Sequence, residues 1–383
     1  MTNMKGTVIR AAAMMAALLL FAQVWSFSRP IHRWSNGWQS SADNVQVDQI
    51  GNNVVDIDCS DRERRIQIFE THKNHTYLTE ADLQFAARDA AICEPPAGLE
   101  RVAFMFLVRG DLAHERLWER FFKGKEDRYS IYVHATPGFE YPEGSFFRGR
   151  QIPSKTVARF SSNLVDALRR LIAYALLDVD SPNSWFVLLC DASIPVRSFD
   201  FVYSYLTKSK LSFVESFHPS KAYHSWETLP EFPMQDLRKG EFWMALNRKH
   251  AGMVVAESTF YFKFRSQCNF WCIPDEQYIQ TLLVAKDGRG IANRSVMYVD
   301  WAHAHISSPF NHDAAHITPE LIQKIQSRKV DTDGARHDTA ADNSTVSCVY
   351  NDLPQSECFL FARKFSSGAA QALQSLPASV LGY

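Results

Sequence analysis

The sequence has almost no net charge: 41 lysines and arginines stand against 42 aspartates and glutamates in 383 residues. Such a balance builds no basic field to gather a phosphate backbone, so nucleic acid is not an expected partner, and it lacks the acidic excess of a disordered, solvating chain. No GxGxxG turn and no GxxxxGK loop follows any strand-like run, which argues against dinucleotide-binding and NTPase chemistry. No internal repeat is present. A zinc site is not expected either. Cys268 and Cys272, with His303, His305, His312 and His316, include the right ligand types, but their spacing matches no finger pattern.

What is present is a chain with 46% apolar residues, enough to bury a large core as one sizeable domain with appendages. Aromatic residues make up 13% and include nine tryptophans, whose faces serve core packing and the stacking of sugars or bases alike. Residues 11–27 carry no charge and follow Lys5 and Arg10, so they read as a transmembrane signal anchor with residues 1–10 cytoplasmic, a bias that Arg29 and Arg33 oppose. A cleaved signal peptide is the competing reading, yet no clear small-x-small site follows the Leu18-Leu19-Leu20-Phe21 core. Residues 28–96 are polar and irregular, as in a stem, and residues 97–383 form the expected luminal domain. Seven cysteines leave an odd thiol, for which Cys190 at the end of an apolar run is the candidate, while a local Cys348–Cys358 disulfide fits the compartment. Sequons at Asn74, Asn293 and Asn343 agree with a luminal domain.

Periodicity sharpens at Arg101. Residues 102–108 are a continuous apolar run of strand length, and residues 111–122 follow at helical spacing with Asp111 placed to cap. Residues 129–134 and 185–189 read as further strands, residues 163–178 as an amphipathic helix, and short strands are expected around Phe213 and Phe242. Helices are expected over 248–257 and 275–284, and an exposed loop over 330–347. The alternation implies an α/β doubly wound sheet with ligands beyond the carboxyl ends of its strands.

Two clusters could carry chemistry. Pro274-Asp275-Glu276 opens a helical pattern, where an acid either caps the first turn or stands at a cleft rim as a base. Arg363 and Lys364 sit inside the apolar block 359–365, either as snorkelling surface cations or as fixed charges for a diphosphate leaving group. Asp191-Ala192-Ser193 has one acid where a metal-holding DxD triplet needs two, and Asp331-Thr332-Asp333-Gly334 lies late in a polar loop, better read as a solvated turn. No metal ligands and no cofactor are therefore expected.

The blocks Phe104-Met105-Phe106-Leu107-Val108-Arg109-Gly110, Leu117-Trp118-Glu119-Arg120-Phe121-Phe122-Lys123-Gly124 and Tyr129-Ser130-Ile131-Tyr132-Val133-His134 resemble, in order and spacing, the core-2/I-branching β-1,6-N-acetylglucosaminyltransferase family, plant-type branch. So do Ser212-Phe213-Val214-Glu215-Ser216-Phe217, Arg238-Lys239-Gly240, Pro274-Asp275-Glu276, Val299-Asp300-Trp301 and Leu360-Phe361-Ala362-Arg363-Lys364-Phe365. The resemblance implies a GT-A-like mixed sheet, a UDP-sugar donor of GlcNAc, xylose or glucuronic acid type, a glycan acceptor, inversion, no required metal and a Golgi type II membrane protein. It assigns Glu276 as general base and Lys364 to the diphosphate; Arg363 beside Lys364 is a further candidate for the diphosphate, and Asp191, Arg109, Trp243, Trp301 and Asp275 are candidates for the cleft. A second basic residue belongs on the diphosphate in such enzymes, with Arg363, Arg238 and Arg294 as candidates. Two departures stand near the acceptor side: Gly240-Glu241-Phe242-Trp243 replaces a usual Gly-Ser-Gln-Trp, and Cys190 replaces a common serine. The alternative is a membrane-anchored glycan-binding protein of the same fold without turnover.

Overall fold

The computed structural model describes residues 79, 98–218, 234–268, 273–303, 308–328, 348–355 and 357–383. The expected tail, anchor and, residue 79 aside, stem to residue 96 lie outside the described residues, as does the expected loop over 330–347. Among the described residues no helix is long and apolar enough to cross a membrane.

The apolar run near residue 101 becomes strand β1 (Arg101–Leu107), followed by helix α1 (Glu115–Phe122) and strand β2 (Tyr129–His134). Helix α2 (Asn163–Leu177) leads to β3 (Asn183–Cys190), the short β4 (Ile194–Pro195) and helix α3 (Phe199–Thr207). β1 pairs in parallel with β2 on one side and β3 on the other, and β5 (Ala245–Asn247) closes the sheet antiparallel to β3, giving the order β2-β1-β3-β5. This mixed sheet with flanking helices fits the GT-A-like expectation. Its two dry faces explain why the strands read as unbroken apolar runs. Alternate side chains point to opposite faces: Ala103 and Met105 pack with Leu168 and Leu171 of α2, while Val102, Phe104 and Phe106 pack with Trp118, Phe121 and Phe122 of α1.

Several local expectations are corrected. Asp111 does not cap α1, because a turn closed by Glu115 N donating to Leu112 O delays the helix, and its N-cap is His114. Phe213 makes a single bridge to Ala245, and the strand expected around Phe242 forms three residues later as β5. The acids of Pro274-Asp275-Glu276 lie in a separate 3-10 turn (Pro274–Glu276), broken from the following α-helix at Gln277.

Beyond β5 come helices α4 (Arg248–Ala256), α5 (Thr259–Gln267) and α6 (Tyr278–Asp287), strand β6 (Met297–Val299) and helix α7 (Pro319–Ser327). Buried Arg169 of α2 satisfies carbonyls at the end of α4 that lack a partner within the helix, donating to Val254 O, Val255 O and Glu257 O at 2.9, 3.0 and 2.6 Å. It also donates to the Tyr278 hydroxyl, and so ties the start of α6 to the sheet's covering helix. After the hairpin β7 (Cys348–Tyr350) and β8 (Leu353–Gln355), strand β9 (Phe361–Arg363) enters a second sheet between β4 and β6. Phe365 N then donates to Ala192 O at 3.0 Å, and His114 Nε2 bonds Phe365 O at 3.2 Å. The closing apolar block is thereby brought to the end of β3. Cys190, at that end, is free and buried, as its position in an apolar run leads one to expect.

Candidate active site

The carboxyl ends of β1, β2 and β3 open into a cavity of about 1070 Å³. Arg109, His134 and Asp191 stand at those ends, where a doubly wound sheet places its ligand. Eight of the residues singled out from the sequence line this one cavity: Glu276, Lys364, Arg363, Asp191, Arg109, Trp243, Trp301 and Asp275. They come from segments separated by up to 255 residues of chain, so only the fold could have gathered them.

Glu276 is presented by a backbone held from several sides. Ile273 adopts left-handed backbone at φ 54°, uncommon for a β-branched residue and found where surrounding structure imposes it. Gly240 N donates to Glu276 O at 2.9 Å, and the Gln280 amide of α6 donates to Gly240 O and Glu241 O at 3.3 and 3.1 Å. Lys239 and Phe217 exchange backbone hydrogen bonds of 2.9 and 2.8 Å, which fixes the strip on its other edge. A Cβ at Gly240 would lie 2.0 Å from Glu215 O, so glycine is demanded there by the close approach of two backbones. Gly240→Ala is expected to lower thermal stability by several degrees, on the order of 2 kcal/mol from a forced backbone shift, measured by the unfolding midpoint. An unchanged midpoint would show that the strip does not brace the turn.

The Glu276 carboxylate does not cap a helix. It forms an ion pair with Lys239, whose side chain is 6% exposed against 30% for Glu276, so the ammonium is buried while the carboxylate still reaches the cavity. Asp275 beside it is buried with Oδ1 unpartnered, and burial first, then the Glu276 charge, pushes its carboxyl up to about 7. The pair thus joins a carboxylate that is ion-paired with a lysine and reaches the cavity to a buried carboxyl whose pKa is raised.

Across the cavity the closing block does not snorkel. The Arg363 guanidinium lies over the Trp243 ring at 4.4 Å, and Ser295 fixes that tryptophan through its carbonyl at 2.7 Å. Lys364 Nζ donates to Ser308 Oγ at 2.9 Å. Burial, followed by the Arg363 and Arg159 charges, lowers the Lys364 pKa below the usual lysine value. A partly desolvated group of like charges is relieved by a polyanion. At the β3 end, Arg109 and Asp191 make a 3.3 Å ion pair, but Arg109 is 92% exposed and the pair contributes little to stability.

Of the other candidates for a second diphosphate cation, two are occupied elsewhere. Arg294 is buried under Phe213, donating to Tyr205 Oη, Val349 O and Cys358 O. Arg238 donates to Gln235 O and Leu237 O and does not line the cavity. Arg363 does line it, and so does Arg159, which the sequence reading did not single out. Lys239 was likewise visible only as part of a motif, since nothing in its spacing signals an ion pair to a residue 37 positions away. Among the described residues no group of three or more histidine, cysteine or acidic side chains is arranged to hold a metal ion.

Comparison with known proteins agrees with the resemblance. The model of a family described as "Core-2/I-Branching enzyme" matches residues 102–326. Glycosyltransferase BC10 of Oryza sativa subsp. japonica is 33% identical over 319 residues, an alignment covering 73% of this chain and 77% of the rice protein.

Proposed function

The chain belongs to the Core-2/I-branching enzyme family and is a glycosyltransferase, and from that premise we propose an inverting displacement on a UDP-sugar, with Glu276 as base and Lys364 on the leaving diphosphate. The observation that carries the reading is the meeting of Glu276 and Lys364 in one cavity at the carboxyl edge of the sheet. A glycan hydroxyl between them gives its proton to the Glu276 carboxylate as its oxygen bonds to the anomeric carbon, and the bond from that carbon to the UDP oxygen breaks. Lys364 and Arg363 stabilise the charge that develops on the diphosphate, the task a divalent cation performs in other transferases. Lys239, ion-paired with Glu276, holds its carboxylate in place.

The test is a panel of UDP-sugars with glycan acceptors and the full-length chain, assayed with and without EDTA. The expected result is transfer from one UDP-sugar, unchanged by chelation. Activity that EDTA abolishes and Mn²⁺ restores would remove the proposed role of the two cations. UDP-sugar binding with no transfer to any acceptor would favour a glycan-binding protein.

For the remainder of the chain, we propose a Golgi type II arrangement, with residues 1–10 cytoplasmic, 11–27 the signal anchor, 28–96 the stem and 97–383 in the lumen. The uncharged run 11–27 and the exposed sequon residue Asn293 support it. In sealed Golgi vesicles the domain should resist added protease; digestion without detergent would contradict the orientation.

A further inference from the structure

Glu241 lines the cavity beside the proposed base and cations, and its surroundings give it a consequence for the sugar. Its backbone N donates to Glu215 Oε2 at 2.8 Å, and its own Oε1 accepts from Trp301 Nε1 at 2.7 Å. Among the described residues Oε2 takes no hydrogen bond, and the residue lines the cavity. Its carboxyl interacts electrostatically with Glu276 and Arg363, and Lys364 in turn responds to Glu241. The sugar ring of a bound donor has to lie between the base and the diphosphate cations, in the cavity that Glu241 lines with them.

We propose that Glu241 is a specificity-determining residue that selects neutral donor sugars and rejects uronic acids. The inference rests on the proposed UDP-sugar reaction and narrows its donor. A neutral sugar hydroxyl can donate to Glu241 Oε2, satisfying both groups. A uronate has no proton to donate from its carboxylate and brings a second negative charge toward Glu241, Glu215 and Glu276 in a partly desolvated cavity. Burial first, then the Glu215 charge, raises the Glu241 carboxyl to about 7, with Arg363 and the Trp301 hydrogen bond acting in the opposite sense. Discrimination should therefore be fullest above that range and weaken below it, as the carboxyl takes up its proton.

UDP-glucose and UDP-glucuronate differ only at C6, where one has a hydroxymethyl group and the other a carboxylate, so their relative affinity reads this interaction directly. With the full-length protein at pH 8, titration calorimetry should give UDP-glucuronate an affinity on the order of 100-fold weaker than that of UDP-glucose. In Glu241→Gln the ratio should shrink by at least ~10-fold. If that variant does not fold, the wild-type ratio at pH 8 against pH 6 still decides, with a larger ratio expected at pH 8. Equal affinities for the two nucleotide sugars, with UDP itself bound, would overturn the inference and leave the transferase reading standing. Failure to bind UDP at all would overturn that reading and the inference with it.

Discussion

Glu276→Gln should lower the rate of sugar transfer by ~100-fold or more, the scale of losing a general base, while UDP still binds. The amide is nearly isosteric with the carboxylate but accepts no proton from an attacking hydroxyl at neutral pH. One complication is physical: the substitution leaves the buried Lys239 ammonium without its anion, which costs stability as well as activity. Glu276→Asp separates the two effects. It keeps a negative charge for Lys239 and withdraws the carboxylate by one methylene, so the unfolding midpoint should stay closer to wild type while kcat falls. A role confined to holding Lys239 would give the reverse, with Glu276→Asp fully active.

Lys364→Ala should reduce kcat by roughly 100- to 1000-fold, the range seen when one group stabilising a developing anion is removed. UDP affinity should fall as well, because the nucleotide's diphosphate meets the same ammonium before and after transfer. Lys364→Arg should recover part of both losses, since the charge remains and only the geometry changes. The variant should stay folded: Lys364 is half-buried and, among the described residues, its side chain donates to Ser308 Oγ alone. Unimpaired transfer by Lys364→Ala would place the diphosphate elsewhere in the cavity, with Arg159 and Arg363 among the cations that remain to hold it.

The central strands were legible because both sheet faces are dry. Residues 102–108, 129–134 and 185–189 read as strands and fold as β1, β2 and β3 with only their ends moved. Helix starts were less legible. An acid such as Asp111 that could cap competes with a turn at 112–115 that the sequence does not announce. The same holds for Pro274–Glu276: proline followed by two acids suits an α-helix entrance, yet the hydrogen bond from Gly240 holds the three residues as a separate turn and directs Glu276 to Lys239. Residue type and motif picked out both halves of the site, but their meeting depends on β9 inserting between β4 and β6, a pairing of segments distant in sequence. Lys239 and Glu241 gain their importance from contacts made only in the folded chain. Nothing in the order of residues marks Glu241 as the neighbour of Trp301 and Arg363.

The claim that proton removal and nucleotide departure form one event is tested most directly by transfer rates of wild type, Glu276→Gln, Lys364→Ala and the double variant under saturating donor. Two groups acting in one transition state are non-additive, because removing either already forfeits much of what the other contributes. The expected result is a double variant within ~10-fold of the slower single variant. Losses that multiply in full would contradict the claim, leaving Glu276 and Lys364 as contributors that act independently of one another rather than as a unit.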